Sequence, residues 1–172
     1  VSFKAKSPVA RTMLAGLGLY HAPWNNITEV VTLTSDWTTY TYTITTTGFG
    51  DDDSRVLFDM GGEVGTVSID DVSVSLADTT TEPEPEPEPT VDELLVNGDF
   101  ENAATAWTLP GDNADLVITD GDNSIFEVNV EAAGNVYDVN LSQTMTLIPD
   151  TAYVVSFKAK SPVARTMLAG LG

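Results

Sequence analysis

One histidine, no cysteine and twenty-six carboxylates bound the chemistry open to this chain. Without cysteine there is no thiolate nucleophile, no disulfide and no thiolate metal site. The single histidine lies in Tyr20-His21-Ala22-Pro23-Trp24, outside any Ser/His/Asp spacing, and reads as a loop residue. Carboxylate pairs can hydrolyse glycosides only when held about 5 Å or about 6.5–9.5 Å apart across a cleft. The acidic clusters here fall in turns or in a linker. Asp51-Asp52-Asp53 follows Gly48-Phe49-Gly50 and reads as a solvated loop. Asp120-Gly121-Asp122-Asn123-Ser124-Ile125 tracks a calcium loop for three positions, then departs, with Ile125 where the loop needs glycine. No enzyme is expected from these residues.

Two constellations remain. The first joins Asn97-Gly98-Asp99-Phe100-Glu101 with Ile69-Asp70-Asp71-Val72. If the strands that carry them meet, their carboxylates and nearby carbonyls would suit calcium, which takes six to eight oxygens. The competing reading is a pair of Asp/Asn turns with solvated side chains. The second constellation sets aromatic rings beside polar groups: Trp24, Tyr137 in Val136-Tyr137-Asp138-Val139, and Trp107. A flat apolar ring flanked by hydrogen-bonding groups is what a sugar needs. Any of the three could instead be core. Trp107 is expected in the core, and Trp24, after a proline in a loop-like stretch, is expected to be exposed.

The elements that must position these groups are strands. Residues 153–160 alternate, with Tyr153, Val155, Phe157 and Ala159 on one face; residues 37–44 turn Tyr40, Tyr42 and Ile44 inward and threonines outward. Residues 55–60 bury Val56, Phe58 and Met60. Residues 67–76 alternate too, but the parity flips between Ile69 and Val72, which predicts a bulge at Asp70-Asp71. Period-two patterning broken by turn residues, with almost no helical stretch, predicts an all-β, antiparallel β-sandwich.

The chain also carries an internal duplication: Val1–Gly18 recurs identically as Val155–Gly172. The continuous unit therefore runs from Leu94 through Gly172 and resumes at Leu19, as in a slice of a tandem array or a permuted module. The organisation expected is one half of a module over 1–77, a Glu-Pro linker over 78–93, and the other half over 94–172. Alternating glutamate and proline repel and stiffen, so the linker is an extended spacer. A net charge of −19 opposes nucleic acid and anionic membrane as partners, and no apolar run is long enough to span a bilayer. A duplicated segment with one place in the fold predicts a displaced end or exchange between chains.

The order LLVNGDFE, a following Trp, YDVNLSQ, TAYVVSFKAKS, RTMLAGLGLYHAPW, DWTTYTYT, SRVLFDMGG and IDDVSVSL resembles a family 4 carbohydrate-binding module, of the wider 4/9/22 group. The resemblance implies a non-catalytic jelly roll that binds β-glucan or xylan chains in a groove, usually attached to a secreted glycoside hydrolase. It implies stacking by Trp24 and Tyr137, and polar groove positions at Arg55, Asp59, Gln143 and the duplicated Arg11 and Arg165. It further implies a structural calcium near Asp70, Asp99, Gly121 and Glu101. Gln143 shares parity with Leu141 and Met145, so a groove role needs a bulge or partial burial there. A groove flanked by Trp24 and Tyr137 with an arginine resembles that of the β-1,3-glucan binders, which puts laminarin-type chains ahead of mixed-linkage glucan, cellulose chains and xylan. A bacterial, extracellular protein is expected. The rival reading is a calcium-stabilised structural repeat of a bacterial surface adhesin, which the near-identical repeat favours and which has no use for an exposed Trp24.

Overall fold

The computed structural model describes residues 2–6, 14–77, 93–112, 116–162 and 166–171. Its strands are β1 (Ser2–Lys6), β2 (Leu14–Leu19), β3 (Asn26–Thr32), β4 (Thr38–Thr45), β5 (Ser54–Asp59), β6 (Gly65–Leu76), β7 (Val117–Asp120), β8 (Asn123–Val130), β9 (Asn140–Met145), β10 (Ala152–Lys160) and β11 (Thr166–Leu171). They form a six-stranded sheet, β1-β4-β10-β6-β8-β7, and a five-stranded sheet, β11-β3-β2-β5-β9. No α-helix occurs among the described residues. The all-β sandwich is as the alternation predicts.

Alternation became structure because each strand has one face to bury. In β10, Tyr153, Val155, Phe157 and Ala159 are buried and the intervening residues are only partly so. In β5, Val56, Phe58 and Met60, just beyond its end, are fully buried. The Phe58 and Phe157 rings meet edge to face, centroids 4.4 Å apart, and join the two sheets through the core. From β3 onward successive strands alternate between the sheets, except that β6, β7 and β8 all lie in the six-stranded one. Phe100, Trp107 and Phe126 close one end, with Phe100 5.2 Å from Trp107 and 6.2 Å from Phe126. The Trp107 indole donates to the Asn97 carbonyl at 2.9 Å, which satisfies its only donor. Trp107 is core, as expected.

The bulge also forms where the parity flips. Between Ser156↔Ser73 and Lys158↔Asp70, β6 spends one residue more than β10, and Asp71 takes φ 48°.

Both sheets draw strands from each side of the Glu-Pro segment: β6 pairs with β8 and β10, and β5 pairs with β9. Residues 78–92 of that segment lie outside the described residues. Its two flanks are adjacent, because Leu94 N donates to the Val74 carbonyl and the Glu93 carboxylate accepts from Val74 N.

The duplicated copies contend for one position. Phe3 of β1 and Phe157 of β10 both stand opposite Tyr40. Gly16 of β2 and Gly170 of β11 both stand opposite Leu57, and Leu17 and Leu171 both stand opposite Val56. An edge of a strand accommodates one neighbour about 4.8 Å away, and the other edge of β5 belongs to β9. The fold has one place for two equivalent segments. The copies are not equally supported: residues 155–160 add a long pairing with β6, whereas residues 14–18 add four register pairs with β3 against two from β11.

Candidate functional site

The site is built on the outward face of β5. Because Val56, Phe58 and Met60 face the core, Arg55, Leu57 and Asp59 face the other way. They form the floor of a cavity of about 560 Å³, whose lining also includes Trp24, Asn26, Tyr137 and Asn140. The two rings at its margins are unusually exposed for their size, Trp24 at 57 % and Tyr137 at 65 %.

Tyr137 is placed by a one-turn 3-10 segment, Val136–Asp138, tied to the end of β5. Gly61 N donates to the Val136 carbonyl at 2.7 Å and Met60 N to the Val139 carbonyl at 2.8 Å. A side chain at Gly61 would stand 2.3 Å from the Asn135 carbonyl oxygen, so glycine there lets the ring-bearing turn pack against the strand. The Asp138 carboxylate accepts from Asn135 N at 2.7 Å and closes the turn.

Trp24 sits in the β2–β3 loop after a cis Ala22–Pro23 bond, with φ 60°. A bulky residue in the left-handed region is held there by its surroundings. Trp24 N donates to the His21 carbonyl at 2.8 Å, and the Asn26 amide donates to the Trp24 carbonyl at 3.1 Å. His21 in turn contacts Asp51 at 2.8 Å, so the histidine read as a plain loop residue pairs with the first of the three aspartates. Asp51 is not merely solvated either: its carboxylate also accepts from Asp53 N and the Ser54 hydroxyl.

The floor is charged but poorly hydrated. Asp59 is 9 % exposed, and burial pushes its carboxyl above the usual range, opposed by the Asn140 amide at 2.7 Å and by Arg55. Burial lowers Arg55, opposed by Asp59 and Tyr20. Its guanidinium lies 5.0 Å from the Tyr20 ring centroid, a cation–π contact. Arg55 Nε is buried with no hydrogen-bond partner. A carboxylate, a guanidinium and two asparagines between exposed rings can bind a polyhydroxylated, flat-faced ligand.

Gln143, expected in the groove, lies elsewhere. It is 4 % exposed, and its amide both accepts from Val96 N at 2.8 Å and donates to the Val96 carbonyl at 2.9 Å. It pairs with the 93–96 segment like a short strand, which follows from its inward parity beside Leu141 and Met145. Arg11 and Arg165 lie outside the described residues. Asn26, Leu57 and Asn140 were missed: Leu57 shares parity with Arg55 and Asp59, a usable signal, whereas the asparagines carry none.

The expected calcium residues come together in part. Gly98 N–Cα backs onto the bulge so closely that a Cβ would lie 1.9 Å from the Val72 carbonyl oxygen, and Val72 N donates to the Gly98 carbonyl at 2.8 Å. Asp70 accepts from the Asn123 amide at 2.8 Å and Glu101 from Ser124 N at 2.7 Å. Both carboxylates thus hold the β7–β8 turn, in which Gly121 takes φ 72°. Asp99 instead accepts from Glu101 N, at 3.3 Å. Burial pushes the Asp70 carboxyl up, opposed by Asn123. Among the described residues no three His, Asp or Glu side chains converge as a metal site. The oxygen donors suit calcium in kind, but two carboxylates need backbone carbonyls and water to complete its shell.

Residues 92–172 match the family model CBM_4_9, a carbohydrate binding domain. The matched stretch runs through β7 to β11 and contributes Tyr137 and Asn140 to the cavity, with Asp99, Glu101 and Gly121 at the turn. It supports kinship with the 4/9 group of carbohydrate-binding modules for that part of the chain. Neither the curated proteins nor the solved structures compared give a match. No helix among the described residues is long and apolar enough to cross a membrane.

Proposed function

We propose that this chain is a non-catalytic module that binds β-glucan chains, with β-1,3-linked laminarin-type chains favoured, in the cavity between Trp24 and Tyr137. The observation that carries the reading is the pair of exposed rings at the margins of a floor made by Arg55, Asp59 and Asn140. Each ring offers an apolar face to a pyranose, and the floor offers donors and acceptors to its hydroxyls. The carbohydrate binding domain match over 92–172 supports the ligand class. The remaining residues of the cavity come from 24–59, which suggests a module read in permuted order.

In this reading the module is extracellular and bacterial, joined to a glycoside hydrolase that it holds at a polysaccharide. Single-site affinity is modest, roughly −4 to −8 kcal/mol, and linked copies gain by avidity. A structural calcium at Asp70, Glu101 and the Gly121 turn would tie the strand before the Glu-Pro segment to the residues after it, with Asp99 adjacent. The duplicated segment would allow exchange of strands between molecules. Titration calorimetry with laminarin, beside soluble β-1,4-glucan and xylan, tests the function. Heat with laminarin alone supports it, and no heat with any of the three sinks it. The 18-residue repeat favours one other reading, a structural repeat of a surface adhesin, which predicts no heat and a folded, calcium-stabilised chain.

A further inference from the structure

The Trp24 loop contains one group that can titrate near neutrality. His21 Nδ1 lies 2.8 Å from the Ala22 carbonyl oxygen, and Nε2 lies 2.8 Å from Asp51 Oδ2. Both partners are acceptors. A neutral imidazole carries one N–H and can satisfy one of them, whereas the imidazolium satisfies both. The protonated ring is the form that satisfies both contacts.

The consequence falls on Trp24. Its left-handed backbone is held by a hydrogen bond from its own N–H to the His21 carbonyl, by Asn26, and by the anchoring of residues 21–22 to the Asp51 loop. Asp51 is itself fixed by Asp53 N and Ser54, at the start of the strand that carries Arg55 and Asp59. The imidazolium is thus a side-chain link, beside the Arg55–Tyr20 contact, between the loop that presents the ring and the strand that forms the floor.

We propose that His21 is a positioning residue for Trp24: its imidazolium bridges Asp51 to the Ala22 carbonyl, holds the ring at the cavity margin, and weakens glycan binding when it loses its proton. The proposal rests on the glycan reading of the cavity. The charged groups facing the imidazole are Asp51 and Asp53, both from the β4–β5 loop, and both keep it protonated above its ordinary range, with the Asp51 hydrogen bond the largest cause. Arg55 is turned toward Tyr20.

Laminarin affinity would be measured from about pH 5 to about pH 9, across the range in which a histidine titrates, for the full chain and for His21→Gln. Because His21 is the only histidine, its ring signals in NMR give the midpoint without ambiguity. The dissociation constant is expected to rise about threefold, the scale of an exposed ion pair, with that midpoint. In His21→Gln the rise should vanish, since an uncharged amide cannot titrate. Asp51→Asn should move the midpoint down. An affinity that stays flat through the His21 titration, or a rise that persists in His21→Gln, overturns the proposal. If no glycan binds at any pH, the function fails separately, and the clamp is read from the Trp24 indole N–H signal of the free protein. That signal, assigned with Trp24→Phe, should shift with the His21 midpoint; a signal indifferent to it overturns the clamp.

Discussion

Trp24→Ala isolates the contribution of one ring. Trp24 is 57 % exposed, and a tryptophan side chain offers about 250 Å², so about 140 Å² of it faces solvent. A sugar stacks on one side only and covers about half of that, near 70 Å². At about 25 cal/mol per Å² this is about 1.8 kcal/mol, or roughly twentyfold in the dissociation constant. The ring contributes little to the core, so the variant should melt within a degree or two of the parent. Calorimetry with laminarin reads the affinity, and circular dichroism confirms the fold. The same estimate for Tyr137, 65 % exposed, gives a loss of comparable size. A dissociation constant within about twofold of the parent in a folded Trp24→Ala would refute the placement of the ligand against this ring.

Gly98→Ala should be severely destabilising, because the new methyl would meet the Val72 carbonyl at 1.9 Å. A cost of about 2–3 kcal/mol corresponds to roughly 5–10 °C in melting temperature for a chain of this size. Asp59 gives a pH test. Its folded carboxyl is raised above its unfolded value by burial, so its contribution to stability is greatest below the unfolded value and is lost as pH rises through the folded one. Asp59→Asn should therefore melt higher than the parent at pH 7, with the gap closing in acid, while laminarin affinity falls; a gap that widens in acid would reverse the sign. Calcium should raise the melting temperature of the parent and chelator should lower it, with no shift in Asp70→Ala or Glu101→Ala; a full shift in both variants removes calcium from that turn. Light scattering on the full chain should show dimers or larger species in exchange through the duplicated segment, and a strictly monomeric chain with both ends resistant to protease excludes it.

The strands and the faces they bury were legible residue by residue. Alternation named Tyr153, Val155, Phe157 and Ala159, and Val56, Phe58 and Met60, because every second side chain of a strand in a sandwich points at the other sheet. The bulge at Asp70-Asp71 was legible as a parity flip for the same reason. Where parity and family resemblance disagreed, at Gln143, the structure follows parity, since backbone direction is fixed locally while a groove position depends on the neighbouring chain.

Other features exist only once the sheets are assembled. Arg55 and Asp59 could be assigned to an outward face, but the cavity above them needs β3, β5, β9 and two loops in register, so Asn26 and Asn140 gave no local sign of their place in it. Asp70 and Glu101 are distant along the chain and reach the same turn through the packing of Gly98 against Val72. The pairing of His21 with Asp51 likewise crosses two loops. The duplication is plain in the sequence, but only the pairing of both copies to Leu57, Val56 and Tyr40 shows that they share one place. Local periodicity determines which way a side chain points; which groups then meet is decided by strand order, because hydrogen-bonded neighbours in a sheet need not be neighbours in the chain.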